Sequence, residues 1–381
     1  MKGVVFSCFT PYQLMNSIYY AVKLKKYDSY LIWQDYANYG IDLDKFKSYF
    51  KEIMVIPYYM NKDRMKKQYL KCLHSGYLFG VSREYVFLKR FEHSIMVIFS
   101  DQEPSCNRQI RCFCRCDGNK AMLVEEGIGT YCGEPQHLSM KVKLIYSVLG
   151  IRTQPYIGAS EHISTMIVKH PELLDKKRYK CNSFVLQSNM LFDNQFLREL
   201  NIIDFLNKEK KSTKKTALFL GGPLQERGVS EGEYIERLKE IFKILNDDYD
   251  IIVKPHPREN IEYYNEIPNI SIMKCGEYKW IPFELMIKKM RFEILLTAVS
   301  SAAFNAYEIK DDIKVIYLYK LFKDLAFDDQ IILKYGKMDN IYIPLNIEML
   351  KTCISSPLLE RDIHLDIEDD DIVYINKIMG D

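Results

Sequence analysis

No stretch of the 381-residue sequence is apolar for long enough to cross a bilayer, which takes roughly 20 consecutive apolar residues. An excess of one charge is missing too. The 53 Lys and Arg stand against 51 Asp and Glu, a formal net charge of +2, so nucleic acid is not an expected partner. There is no Walker-type phosphate loop, no zinc-protease helix motif and no nucleophile elbow, which sets aside three common chemistries. The opening MKGVVFSCFTPYQ has too short an apolar stretch for a signal peptide and no small-residue cleavage site, so it reads as a first strand. A cytoplasmic chain is the expectation, with its ten scattered cysteines reduced. The basic patch Lys62, Arg64, Lys66 and Lys67 suits a solvated helix face, and peripheral contact with the inner face of a membrane stays open.

Metal-ligand spacing is also scarce. Of Cys106, Cys112, Cys114 and Cys116, the last three alternate and are expected to share one face of a strand. Paired zinc cysteines are separated by two to four residues, a spacing these thiols lack. Asp366–Asp371, DIEDDD, has no metal-loop spacing and is expected to be a solvated terminal segment.

What is present is an ordinary globular composition, 48% apolar and 27% charged, on a chain long enough for two domains. Strand-like apolar runs recur at Val4–Phe6, Tyr30–Trp33, Ile53–Pro57, Ile95–Phe99 and Met122–Val124, with amphipathic stretches such as Pro11–Leu24 between some of them. That alternation predicts a mostly parallel sheet covered by helices. Residues 207–215, NKEKKSTKK, hold five lysines and no core former, and are expected to link a domain of residues 1–206 to one of residues 216–381. After it the pattern restarts: Thr216–Leu220, a helix over Glu233–Leu245, then Asp250–Val253, Ile270–Met273, Glu293–Thr297 and Lys314–Leu318.

Ligands of open α/β sheets bind beyond the carboxyl ends of the strands. In the second half that edge carries Gly221-Gly222-Pro223, His256-Pro257, Glu284 and Ser300-Ser301. The glycines permit positive φ and close backbone approach. The serines suit a helix N-cap or a phosphate, and Glu284 suits a helix first turn or a ribose. His256 stands between two prolines that fix its loop, with Lys254 and Arg258 beside it, an arrangement that favours an anion such as a leaving phosphate. In the first half, Glu125-Glu126-Gly127 ends a strand, and a carboxylate there suits a general base for a sugar hydroxyl.

Together these segments resemble the bacterial sialyltransferases, whose signatures are an acidic pair before glycine, a His-Pro motif and a later Ser-Ser pair. CFTPYQLMNSI and the block GGPLQERGVSEGEY…VKPHPREN resemble the lipooligosaccharide sialyltransferases, glycosyltransferase family 52, and the likeness runs from residue 4 to about 310. The resemblance implies a GT-B fold, two Rossmann-like domains facing across a nucleotide-sugar cleft. It also implies inverting, metal-independent transfer of sialic acid from CMP-sialic acid to a galactose-type hydroxyl of a surface glycan, lipooligosaccharide or capsule, with no cofactor. Asp42-Leu43-Asp44 has metal-motif spacing but reads as a helix start. By the resemblance His256 protonates or binds the leaving phosphate. Ser300 and Ser301 hold that phosphate, Glu284 the ribose, and Gly221, Gly222 and Pro257 the nucleotide, with Lys254 and Arg258 on the donor side. The base is Glu125 or Glu126, with Glu226 and Glu231 as alternatives. A UDP-hexose donor, a capsule polysialyltransferase and a homodimer stay open.

Overall fold

The computed structural model describes residues 1–35, 39–57, 83–131, 139–148, 152, 154–181, 183–188, 190, 193, 196, 214–256, 259–273, 281–287, 290–323, 325, 329–335, 338–361 and 369–380. Pro257, Arg258, the basic patch Lys62, Arg64, Lys66 and Lys67, and residues 207–213 of the expected linker lie outside the described residues. The chain divides into two compact units, Met1–Phe196 with Asp366–Asp381, and Leu197–Leu365.

The first unit holds seven parallel strands: β1 (Val4–Cys8), β2 (Ser29–Asp35), β3 (Glu52–Pro57), β4 (Ile95–Ile98), β5 (Lys120–Val124), β6 (Ile163–Val168) and β7 (Ser183–Leu186). Their order is β3-β2-β1-β4-β5-β6-β7. The central strands VVFSC and IMVI are buried throughout, as expected of a parallel sheet covered on both faces. The helices are α1 (Pro11–Lys23), α2 (Arg83–Leu88), α3 (Pro104–Phe113) and α4 (Met140–Val148). α1 starts where Thr10 caps it, its hydroxyl accepting the Gln13 N–H at 3.3 Å, and Pro11 supplies a preset φ in the first turn.

The second unit repeats the design with six parallel strands in the order β10-β9-β8-β11-β12-β13. They are β8 (Lys215–Leu220), β9 (Tyr249–Lys254), β10 (Ile270–Ile272), β11 (Ile294–Thr297), β12 (Lys314–Tyr317) and β13 (Ile341–Tyr342). Its helices are α5 (Glu231–Leu245), α6 (Phe283–Ile287), α7 (Ala302–Ile309), α8 (Gln330–Tyr335) and α9 (Ile347–Ser355). Ser230 caps α5, which buries Tyr234, Leu238, Ile241 and Leu245 at helical spacing in the unit's core. Strand order reverses between β1 and β4 in one sheet and between β8 and β11 in the other. Those two switch points are where an open parallel sheet receives ligands.

Three expectations change. A last helix, α10 (Asp370–Gly380), belongs with the first unit, so the second does not run to residue 381. Nor is the acidic run that leads into it merely solvated. Asp371 is fully buried and accepts the Tyr20 hydroxyl at 2.5 Å, the Ser188 N–H at 2.9 Å and the Ser188 hydroxyl. A carboxylate can be buried when several donors and a helix N-terminus compensate it. Finally, Cys106 and Cys112 lie in α3 and Cys114 caps it, so the alternating cysteines share no strand face. Pro104 opens a helix there, and burial pushes the Cys106 thiol up to about 12.

Candidate active site

At the β8–β11 switch point the chain leaves β8 through Gly221-Gly222, and the Gly221 N–H donates to Lys254 O at 3.0 Å, tying that turn to the end of β9. Neither glycine has positive φ, so the freedom expected of them is not what their positions use. Space is. A Cβ on Gly221 would sit 2.1 Å from Glu259 Oε2 and 2.7 Å from the Tyr264 hydroxyl. Among the described residues, on Gly222 it would meet Val299 Cγ2 at 3.6 Å and Leu224 Cδ2 at 3.7 Å, ordinary contacts.

Glu259, which no sequence motif marks, organises the histidine loop. Its Oε1 accepts the Tyr234 hydroxyl at 2.6 Å and the Tyr264 hydroxyl at 2.8 Å. Its Oε2 accepts the His256 N–H at 3.0 Å, and the Glu259 N–H returns a bond to His256 O at 2.9 Å. Burial pushes the carboxyl up from its ordinary range, against the pull of the two tyrosines and the His256 and Gly222 N–H groups. Tyr234 comes from α5 and Tyr264 from the turn after β9, and both are buried. The one local signal was a carboxylate three residues after His256 within a tight Pro-containing loop.

Ser300 joins the same place. Thr297 at the end of β11 donates its hydroxyl to Leu220 O at 3.1 Å and accepts the Ser300 N–H at 3.1 Å, stapling the ends of β8 and β11. Ser300 Oγ accepts the Ala302 N–H at 3.3 Å, so Ser300 bridges the first turn of α7. Ser301, at the N-cap position, makes no side-chain cap bond. Glu284 lies in the first turn of α6, buried, where Asn305 of α7 donates to its Oε1 at 3.0 Å. Gly221, Gly222, Lys254, His256 and Ser300 are thus gathered at the carboxyl ends of β8, β9 and β11, with Glu284 in the helix beside α7. Glu226 is exposed in a short turn after Gly222, and Glu231 is exposed at the start of α5.

In the first unit the acidic pair ends β5, and its two members differ sharply. Glu125 is 4% exposed and structural in its bonding: Oε2 accepts the Lys169 N–H at 2.7 Å and the Tyr131 hydroxyl. Tyr131 in turn accepts the His170 N–H at 3.0 Å, so Glu125 pins the segment after β6. Glu126 is half-buried and its Oε1 accepts the Thr10 hydroxyl at 2.9 Å, at the mouth of β1. Beyond β4, at the same switch point, Asp101 is fully buried and accepts the N–H groups of Gly158 at 2.7 Å and Ser160 at 2.8 Å. Burial pushes its carboxyl up to about 6 despite those donors.

A family model described as "Alpha-2,8-polysialyltransferase (POLYST)" matches residues 4–319. The chain belongs to that family. The sialyltransferase resemblance of the motifs is therefore right at the level of class. An uncharacterized protein of Haemophilus influenzae is 27% identical over 203 residues, 50% of this chain, and the chain spans 60% of that protein's length. Among solved structures, the UDP-GlcNAc 2-epimerase of Methanocaldococcus jannaschii, in complex with UDP-GlcNAc and UDP, superposes with a TM-score of 0.59 at 13% identity, covering 99% of each chain. Arabidopsis thaliana UGT89C1 with UDP-L-rhamnose gives a TM-score of 0.52 at 10% identity, covering 100% of this chain and 94% of that one. At such identities the likeness is one of fold, and the fold is GT-B: two sheets of parallel strands, each wound with helices.

Proposed function

We propose that the protein transfers sialic acid from CMP-sialic acid to the 8-hydroxyl of a sialic acid that ends a glycan chain, with inversion and without a metal. The observation that carries this is the family match over residues 4–319, which takes in the acidic pair, the His256 loop and the serine pair. The acceptor hydroxyl attacks the anomeric carbon of the donor sugar while Glu126 takes its proton. The bond from that carbon to the phosphate oxygen breaks, the electron pair leaves with CMP, and His256 protonates or hydrogen-bonds the departing phosphate. Ser300 and Ser301 receive the phosphate, and Glu284 receives the ribose. Glu126 is favoured over Glu125 because a base must reach substrate, and Glu125 is buried under Tyr131 and Lys169.

A nucleotide screen by thermal shift, followed by linkage analysis of the product, tests the proposal. CMP is expected to raise Tm where UDP and GDP do not, since a ligand that binds only the folded state stabilises it. The product is expected to be an α2,8-linked sialic acid. Stabilisation by UDP alone would move the reading to a UDP-hexose donor, and His256→Ala with full transfer would remove His256 from the chemistry.

A further inference from the structure

We propose that Thr10 is the positioning residue of the base, fixing the Glu126 carboxylate toward the acceptor hydroxyl; this rests on the reading of Glu126 as base. A threonine hydroxyl has one proton and two lone pairs. The Gln13 N–H donates to Thr10 Oγ1 at 3.3 Å, which occupies a lone pair, and the single proton goes to Glu126 Oε1 at 2.9 Å. Thr10 is itself held. Gln13 is fully buried and its Oε1 accepts the Phe9 N–H at 2.8 Å, which locks the Phe9–Thr10 step at the end of β1. The bond therefore joins the end of β1 to the residue pair after β5, across β4, at the first unit's switch point. Two of these links belong to one hydroxyl, so the start of α1 and the direction of the carboxylate are set together.

Nothing in the capping of α1 requires the second link, because an N-cap needs only an acceptor. The donated proton serves Glu126 instead. A glutamate side chain has three rotatable bonds, and a base that must lie within hydrogen-bond reach of one hydroxyl gains from a fixed orientation. The hydrogen bond to a carboxylate acceptor is charge-assisted, which helps hold that orientation.

The test is a set of full-length variants assayed with CMP-N-acetylneuraminic acid and an α2,8-linked sialic acid oligomer. Thr10→Ser keeps both links and is expected within about threefold of the wild-type kcat. Thr10→Val loses both, and Thr10→Asp keeps a cap acceptor but has no proton to give. Both are expected to lose on the order of a hundredfold in kcat with the donor KM within about twofold. Thr10→Asp should keep the wild-type Tm more nearly than Thr10→Val. Wild-type kcat in a folded Thr10→Val or Thr10→Asp, or equal losses in Thr10→Ser and Thr10→Val, would each overturn the role of Thr10. Glu126→Gln separates the two levels. If it is inactive while Thr10→Val is active, Glu126 is the base and Thr10 does not position it. If Glu126→Gln retains full kcat, the base is elsewhere and both fall.

Discussion

Gly221→Ala adds one carbon and is expected to disturb three bonds. The added Cβ would lie 2.1 Å from Glu259 Oε2 and 3.0 Å from Glu259 Cδ, where real contacts start near 3.0 Å, so the carboxylate must retreat by about 1 Å. It has little room, because Oε1 is held by Tyr234 and Tyr264 and Oε2 by the His256 N–H. Overpacking costs about 1–3 kcal/mol, and weakening a hydrogen bond to a charged acceptor about 1–3 kcal/mol more. The expected destabilisation is roughly 2–6 kcal/mol in urea unfolding. A cycle with Glu259→Ala assigns the cause. With the carboxylate gone the obstacle is gone, so Gly221→Ala should then cost less than about 1 kcal/mol. Gly222→Ala serves as the contrast, since its Cβ meets ordinary contacts and φ there is not positive. It should leave stability unchanged while weakening the thermal shift produced by CMP. An undiminished cost of Gly221→Ala in the Glu259→Ala background would refute the steric account.

Other parts of the molecule give sharper sign predictions. Asp101 titrates near 6 when folded and near about 3.9 when unfolded, so the folded state holds the extra proton between those values. Its contribution is present below pH ~4 and is lost as pH rises through ~6, a change of about 3 kcal/mol. Against the wild type, Asp101→Asn should therefore gain relative stability between pH 4 and pH 7 in urea unfolding, and a flat difference would contradict the shift. Lys314 donates to Cys353 O at 3.3 Å, Ile354 O at 2.6 Å and Ser356 O, closing the end of α9. Lys314→Met should lower stability by roughly 2–3 kcal/mol and speed amide exchange over Thr352–Ser356, and protection equal to wild type there would disprove the cap. Asp371→Ala strips the acceptor from Tyr20 and Ser188 and should cost about 3 kcal/mol, read as earlier urea unfolding of the first unit.

The strands were readable because buried parallel strands are continuous apolar runs, as in IMVI of β4 and ILLT of β11. β6 escaped because Ser164 and Thr165 interrupt its apolar pattern, and β7 because all four residues are only half-buried. β13 is two residues long, below any pattern. The strand-end motifs of the second unit were legible as residue types, but their organiser was not. Glu259 meets Tyr234 from 25 residues upstream, a pairing that no periodicity encodes. For Asp371 the acidic neighbours suggested solvent, and only Tyr20, 351 residues away, explains its burial. Glu125 and Glu126 look alike in sequence. Tyr131, Lys169 and Thr10 make them different.

The return of α10 to the first unit sets an order of assembly. During synthesis residues 1–196 emerge first, but Asp371, which Tyr20 and Ser188 bind, is added only after the whole of Leu197–Leu365. The unit begun first is therefore the one completed last, and a chain released early would carry its defect far from where it was cut. A truncation that removes Asp371 thus acts on the half that carries Glu126.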